Sequence, residues 1–134
     1  MILVDAGPLV ALLDADDEFH AICLETFRTF KEPLGTVWPP LTEALYLLSG
    51  VSGTQEALLG MLARGALQLL PLDSGDIPRM IELMRKYADR PMDFADAALV
   101  RVAEREGFET FFTLDRRDFT VYRLHGRIRP TLIP

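Results

Sequence analysis

Short, uninterrupted apolar runs alternate along this chain with longer segments of amphipathic character. A run of apolar residues without a polar alternation is typical of a strand that is buried on both faces of a parallel sheet. Four such runs predict strands, and a last apolar segment predicts an edge strand: residues 1–4, 35–38, 67–72, 110–114 and 131–133. Pro39 and Pro40 are expected to end the second strand.

Apolar residues at near 3.6 spacing predict helices between these strands. The predicted helices begin at Pro8, cover 18–30, open at Thr42, cover 54–64 and 76–87, and run from Asp93 to near Gly107. An alternation of strand and helix predicts an α/β fold with a parallel sheet and helices on both of its faces. A length of 134 residues fits one domain, residues 1–134.

Charge is distributed unevenly along the chain. The net charge is −6, with eleven acids against three bases in residues 1–78 and nine acids against eleven bases in residues 79–134. The overall sign argues against a protein that holds nucleic acid by general electrostatic attraction. It remains compatible with a protein that meets phosphate through a bound metal ion.

Cysteine content and hydropathy bear on location. Cys23 is the only cysteine, so no intramolecular disulfide can form, which fits a reducing cytosol. No apolar run approaches the ~18–20 residues of a membrane span, and the first residues lack the basic leader of a signal peptide. We therefore expect a cytoplasmic protein with no membrane contact.

The segment PMDFADAAL, residues 91–99, carries the first candidate chemistry. It places Asp93 and Asp96 three residues apart at the start of a helix, where such residues share a face. Carboxylates this close repel each other unless a positive group lies near them. Asp93 could instead be only a helix cap, whereas Asp96 falls one turn into the helix on its apolar side.

Further acids follow the predicted strands. Asp5 ends the first strand, Glu43 follows the second and Asp115 ends the fourth, with residues 116–118 predicted as the loop after it. The carboxyl ends of parallel strands share one edge of a sheet, where α/β proteins place their ligands. Two alternatives stay open at this point: Asp5 caps the next helix, and Glu43 stabilises a first helical turn through the dipole.

No Lys or Arg lies within a few residues of Asp5 or Glu43. A hard cation with oxygen ligands, Mg²⁺ or Mn²⁺, would allow these acids to lie together. The chain has no Cys/His cluster for zinc and no phosphate-binding glycine loop. The pattern therefore indicates hydrolysis of a phosphate ester by metal-activated water. Gly7 argues against an aspartyl-phosphate enzyme, which would need an Asp two residues after Asp5.

Four segments together resemble the PIN domain, and in particular the VapC-type toxin ribonucleases of VapBC toxin–antitoxin pairs. They are spread over nearly the whole chain: LVDAGPLVALLD, PLTEALYLL, MDFADAALVRVAE and TLDRRDFTVYR. The resemblance implies a three-layer α/β/α fold around a central, mostly parallel sheet of four to five strands. It also implies an endoribonuclease whose products carry 5′-phosphate and 3′-hydroxyl ends.

Carried over residue by residue, the resemblance implies four catalytic acids: Asp5, Glu43, Asp96 and Asp115. Asp5, Asp96 and Asp115 are the implied ligands of Mg²⁺, with Mn²⁺ as the alternative ion. Further ligand candidates are Glu43, Asp93 and Asp118. Arg116 and Arg117 are candidates for contacts with RNA phosphates or with an antitoxin.

The resemblance implies two protein partners, a cognate VapB-like antitoxin and a second copy of the chain in a homodimer. An apolar hairpin is one candidate surface for either partner, with core packing as the alternative for its members Tyr46, Leu47, Leu48, Leu58, Leu59 and Met61. Two other functions remain open: a PIN-fold nuclease that acts on DNA or in RNA processing outside a toxin pair, and a non-catalytic module that binds a protein partner.

Overall fold

The computed structural model describes residues 1–90 and 92–134. Pro91, the first residue of the PMDFADAAL segment, lies outside the described residues. Within these described ranges, five strands form one sheet: β1 Ile2–Val4, β2 Leu34–Thr36, β3 Leu67–Leu69, β4 Thr110–Phe112 and β5 Thr131–Ile133. Seven α-helices of the described residues lie between the strands: α1 Ala6–Leu13, α2 His20–Arg28, α3 Trp38–Leu47, α4 Thr54–Ala63, α5 Ile77–Lys86, α6 Phe94–Glu106 and α7 Arg116–Phe119. A 3₁₀ turn, Ser74–Asp76, precedes α5.

The sheet is parallel throughout, in the order β3-β2-β1-β4-β5. β1 is central, because Leu3 stands in register with Gly35 of β2 and with Phe111 of β4. The predicted α/β class is confirmed, and the predicted edge strand at 131–133 is β5.

Helices cover both faces of this sheet. In β1, Leu3 enters one hydrophobic core with α5 and α6, whereas Ile2 and Val4 enter a second core with α1 to α4. In β4, Phe111 and Phe112 divide between the same two cores. Because successive strand residues point to opposite faces, a fully apolar strand can serve both cores. The three-layer arrangement follows from this.

The predicted end of the second strand and the predicted start of the helix after it are both wrong. β2 ends at Thr36, and α3 already begins at Trp38 instead of Thr42. Pro39 and Pro40 lie within the first turn of α3, where a missing N–H costs nothing because the first helical N–H groups have no partner in the helix. Glu43 therefore belongs to the second turn of α3, beyond the helix terminus where a dipole effect is strongest.

The apolar hairpin of α3 and α4 divides between core and surface. Leu48, Leu58 and Met61 are buried, whereas Tyr46, Leu47 and Leu59 are exposed. Core packing thus accounts for half of the six residues, and the other three side chains stay exposed to solvent. Every helix in the described part of the chain is too short or too polar for a bilayer span.

Candidate metal centre

Five carboxylates line one cavity of about 420 Å³ at the carboxyl edge of the sheet: Asp5, Glu43, Asp93, Asp96 and Asp115. They come from four segments of the chain, which the parallel topology brings together at the ends of β1 and β4 and the starts of α3 and α6. We call this space the acidic cavity.

Asp5 is held in place by hydrogen bonds to both of its carboxylate oxygens. The backbone N–H of Ala6 donates to Oδ1 over 2.8 Å, which makes Asp5 the N-cap of α1, and Thr113 Oγ1 donates to Oδ2 over 3.1 Å. Burial raises the pKa of Asp5 to about 6; the two hydrogen bonds oppose that rise, and the charges of Glu43 and Asp93 add to it. Asp5 therefore caps α1 and also lines the acidic cavity, so the two roles that the sequence left open for it occur together.

Asp93 and Asp96 are linked through the first turn of α6. Asp93 caps this helix, because its Oδ1 accepts the backbone N–H of Asp96 over 2.8 Å. Asp96 is only 6% exposed, and its Oδ2 accepts the hydroxyl of Tyr122 over 2.7 Å. Burial raises the pKa of Asp96 to about 8; the hydrogen bond from Tyr122 opposes the rise, and the charges of the neighbouring acids, Asp5 first, increase it.

Asp115 and Asp118 are linked in the same way in α7. The residues after Asp115 were expected to form a loop, but Asp115 caps a short helix by accepting the N–H of Asp118 over 3.2 Å. Burial and the charge of Asp118 raise the pKa of Asp115, against that hydrogen bond. Asp96, Asp115 and Asp118 each offer a carboxylate oxygen, and these three oxygens lie within 4.8 Å of one another.

Glu43 and Asp93 are the exposed members of the set. Partial burial raises the pKa of Glu43, and the charge of Asp93 adds to this rise. The three capping acids, by contrast, each stand at a helix N-terminus, where the helix dipole favours negative charge. That placement stabilises Asp5, Asp93 and Asp115 but supplies no full positive charge.

Buried acids elsewhere in the molecule have arginine partners. Asp76 accepts from Arg101 over 2.8 Å and from Arg105 over 2.9 Å, and Glu104 accepts two hydrogen bonds from Arg79. Burial alone would raise the pKa of Asp76 and of Glu104, but the hydrogen bonds to these acids outweigh burial and lower it.

The acids of the cavity differ in this respect. Among the described residues, no basic side chain forms an ion pair with any of the five cavity carboxylates. The nearest ion pair joins Asp118, the neighbour of Asp115 in α7, to Arg90 over 3.5 Å. An all-carboxylate oxygen set without a cationic side chain fits a hard divalent ion. Asp96, Asp115 and Asp118 could hold it directly, with Asp5 beside them.

The two arginines expected near the site lie outside the acidic cavity. Arg116 donates from Nη1 to the carbonyl of Pro134, so it links α7 to the end of the chain. Arg117 lines a neighbouring cavity of about 360 Å³ with Asp89, Arg90 and Asp118. Arg117 is therefore the better placed of the two for a ligand that extends from the acidic cluster.

Sequence reasoning missed two residues of the site, Thr113 and Tyr122. Besides donating to Asp5, Thr113 Oγ1 accepts the backbone N–H of Asp115 over 3.0 Å, and so connects the ends of β1 and β4. Its signal was a hydroxyl inside the apolar run TFFTL, next to Asp115, because a buried polar group needs a partner. Tyr122 had no comparable local signal.

Comparison with known proteins identifies the family of the chain. The sequence model of the PIN domain family matches residues 2–123. The chain belongs to the PIN domain family. Ribonuclease VapC26 of Mycobacterium tuberculosis (strain ATCC 25618 / H37Rv) is 33% identical over 134 residues, which covers 98% of this chain and 99% of that protein.

Three solved structures share the fold of this PIN domain. VapC20 of Mycobacterium tuberculosis, described as a sarcin–ricin loop cleaving toxin, has a TM-score of 0.76 at 19% identity over 83% of this chain and 87% of that one. A chain of a toxin–antitoxin complex from Klebsiella pneumoniae has a TM-score of 0.70 at 16% identity, and the match covers 99% of this chain and 100% of that one. A chain of VapBC2 from Rickettsia felis, bound to a DNA fragment from their promoter, has a TM-score of 0.66 at 14% identity, and the match covers 99% of this chain and 98% of that one.

Proposed function

We propose that this PIN domain is a divalent-metal-dependent endoribonuclease toxin, inhibited by a cognate VapB-like antitoxin. The observation that carries the proposal is the contrast between acids that pair with arginine and acids that do not. Asp76 and Glu104 are neutralised by arginines, whereas Asp5, Asp96 and Asp115 meet in one cavity without such a partner. Relatedness to Ribonuclease VapC26 supports RNA as the substrate.

In this proposal Asp5, Asp96 and Asp115 are ligands of Mg²⁺ or Mn²⁺, with Asp118 and Asp93 completing or orienting the set. The bound ion supplies Lewis acidity toward water and toward the oxygens of the scissile phosphate. Thr113 and Tyr122 orient the carboxylates of Asp5 and Asp96. Glu43, exposed at the cavity and with a raised pKa, accepts the proton of the attacking water.

The negative charge of the protein explains why a bound metal ion is needed for the phosphate to enter the cavity. A chain with a net charge of −6 and an acidic cavity repels a phosphate that arrives without a cation. In this proposal water attacks the phosphorus and the 3′ oxygen of the preceding ribose leaves, so the P–O3′ bond breaks and the products carry a 5′-phosphate and a 3′-hydroxyl. No 2′,3′-cyclic phosphate forms, because the ribose 2′-hydroxyl takes no part.

The deciding experiment is cleavage of total RNA by wild type, Asp5→Asn and Asp96→Asn in the presence of Mg²⁺ or Mn²⁺. Asp16→Asn is the matched control, since it makes the same chemical change at an exposed acid outside the cavity. We expect cleavage by wild type and the control, loss in both site variants, and loss in wild type with EDTA. Equal cleavage by all four proteins would refute the metal site, and sequencing the RNA ends would test the product chemistry.

The partners belong to the same proposal. Two neighbours of the fold are described as a toxin–antitoxin complex and as VapBC2, which supports an antitoxin for this chain. We propose a cytoplasmic homodimer that uses the exposed hairpin residues Tyr46, Leu47 and Leu59. Growth arrest that is relieved by the product of an adjacent small reading frame would support the toxin pair. Cleavage without arrest would favour the nuclease in RNA processing, and a partner that binds without any cleavage would favour the non-catalytic module.

A further inference from the structure

A second cavity adjoins the acidic cavity and has the opposite character. It measures about 610 Å³, and Glu43 and Asp93 belong to the walls of both spaces. The remaining wall is mostly apolar and carries two aromatic rings, those of Trp38 and Phe94, together with Pro39. We call it the aromatic cavity.

Trp38 and Phe94 occupy matching places in the fold. Each is the first residue of its helix, Trp38 after the N-cap Val37 in α3 and Phe94 after the N-cap Asp93 in α6. These two helices pack against each other, so both helix starts stand beside the acidic cavity. Trp38 is 55% exposed and Phe94 49% exposed. Single exposed apolar side chains are common, but two large rings in the wall of one cavity indicate a binding surface.

Charge limits what can bind there. In residues 1–90 and 92–134, no Lys, Arg or His lines either cavity, while Glu43 and Asp93 stand on the shared wall. A phosphate in the aromatic cavity would therefore be repelled. A flat, uncharged ring with polar edges suits it, because its face can stack on an aromatic side chain and its amino groups can approach the carboxylates.

We propose that the aromatic cavity binds an unpaired nucleobase next to the scissile phosphate, by stacking on Trp38 and Phe94. The proposal rests on the proposed ribonuclease function, which places an RNA phosphate at the acidic cavity. A base attached to an adjoining nucleotide then passes over the shared wall of Glu43 and Asp93. Bases of single-stranded RNA are commonly recognised by stacking on aromatic side chains.

Trp38 provides its own probe, because it is the only tryptophan of the chain. The experiment titrates wild-type protein with hexa-adenylate and with an abasic hexamer of the same charge, and follows tryptophan fluorescence. Ca²⁺ replaces Mg²⁺ so that an oxygen-liganded ion is present while cleavage is slowed, and a gel checks that the oligomer stays intact. We expect saturable quenching by hexa-adenylate and none by the abasic hexamer.

Variants test the second ring. Loss of one base–aromatic stack corresponds to a loss of affinity of roughly 5-fold to 100-fold, so Phe94→Ala should weaken binding of hexa-adenylate by this factor. Phe94→Tyr keeps the aromatic face and should restore affinity. Phe19→Ala, at an exposed phenylalanine that lines neither cavity, should bind like wild type. Equal affinity in Phe94→Ala and wild type would overturn the proposal.

The outcome separates this proposal from the function on which it rests. Quenching by hexa-adenylate in a protein that cleaves no RNA would support the base site and count against the nuclease. RNA cleavage with no quenching, or with equal binding of the abasic hexamer, would overturn the base site and leave the nuclease standing. Two further results would assign the aromatic cavity to a protein contact and overturn the base site as well. One is a shift of Trp38 emission that depends on protein concentration alone; the other is quenching by a co-expressed antitoxin but not by hexa-adenylate.

Discussion

The hydroxyl of Tyr122 donates a hydrogen bond of 2.7 Å to Oδ2 of Asp96, between two side chains that are both buried. The ring of Tyr122 is fixed by neighbouring aromatic rings, with centroids 5.0 Å from Tyr87 and 5.1 Å from Phe119. The hydroxyl is therefore presented to Asp96 from a rigid aromatic cluster. One oxygen of Asp96 is committed to this bond, which sets the orientation of the carboxylate toward Asp115 and Asp118.

We predict that Tyr122→Phe binds Mn²⁺ about tenfold more weakly than wild type at neutral pH, as is typical when a residue that orients a ligand is lost. The physical reason is that the bond from Tyr122 lowers the pKa of Asp96, so removing it favours the protonated carboxyl group. Isothermal titration calorimetry measures the change. Tyr87→Phe is the control, because its hydroxyl accepts the N–H of Arg123 instead of contacting a carboxylate. Equal Mn²⁺ affinity in both variants would contradict the positioning role.

We predict that Asp96→Asn stabilises the metal-free protein at high pH. The pKa of Asp96 is about 8 in the folded protein against an ordinary value of 3.8, so the folded state retains a proton that the unfolded state releases. The contribution of Asp96 to wild-type stability is then fully present below pH 4 and is lost as the pH rises to about 8. At pH 8 in EDTA the variant should be more stable by on the order of 2–4 kcal/mol, measured by urea unfolding, and Mg²⁺ should stabilise wild type alone.

The variant Asp76→Asn makes the same chemical change as Asp96→Asn at an acid that has arginine partners, and we expect the opposite effect on stability. The arginine partners of Asp76 lower its pKa, so its contribution to stability is present above the ordinary carboxylate pKa and is lost as the pH falls below it. We expect Asp76→Asn to destabilise the protein at pH 7 by about 2–4 kcal/mol, because Arg101 and Arg105 lose a buried carboxylate. Changes of the same sign in the two variants would remove the distinction between the two kinds of acid.

We predict that Arg117→Ala raises the KM for RNA several-fold and leaves kcat nearly unchanged. Arg117 and Arg90 line the cavity that adjoins Asp118, so Arg117 can hold a neighbouring RNA phosphate without touching the reaction centre. The dependence of log binding constant on log salt should fall by about 0.7 for one lost phosphate contact. Arg116→Ala should leave this slope unchanged, because Arg116 contacts Pro134. A lower salt slope for Arg116→Ala than for Arg117→Ala would reverse the assignment.

We predict that Leu59→Glu yields a folded monomer in analytical ultracentrifugation. Leu59 is exposed on α4, and Tyr46 and Leu47 are exposed on α3. A charge placed in an apolar interface costs its desolvation. Ile81→Glu introduces the same charge at an exposed apolar position of α5 and should leave the dimer intact. A dimer that persists in Leu59→Glu would exclude this surface.

Local patterns predicted the elements of the fold better than their boundaries. The apolar runs marked all five strands, because strands between two layers of helices are mostly apolar. Polar exceptions include the buried Thr36 of β2 and the exposed Gln68 of β3. The start of α3 was placed wrongly because two prolines both end strands and begin helices, and only the surroundings decide between the two. The four-residue helix α7 was missed because its cap, Asp115, was interpreted only as a candidate ligand.

The sequence by itself determined the parallel sheet and the presence of acids after its strands, because periodicity and strand-end position are local properties of a chain. It also indicated that Asp93 would have either a capping or a binding role. Tertiary structure decided which acids share the acidic cavity, and it gave Asp93 two roles, as the cap of α6 and as part of the cavity wall. It also decided that Asp76 and Glu104 are neutralised by arginines elsewhere in the molecule. It also brought Tyr122 to Asp96 and put Trp38 and Phe94 in one wall. The physical reason is that burial and charge pairing depend on the neighbours that packing brings from distant parts of the chain.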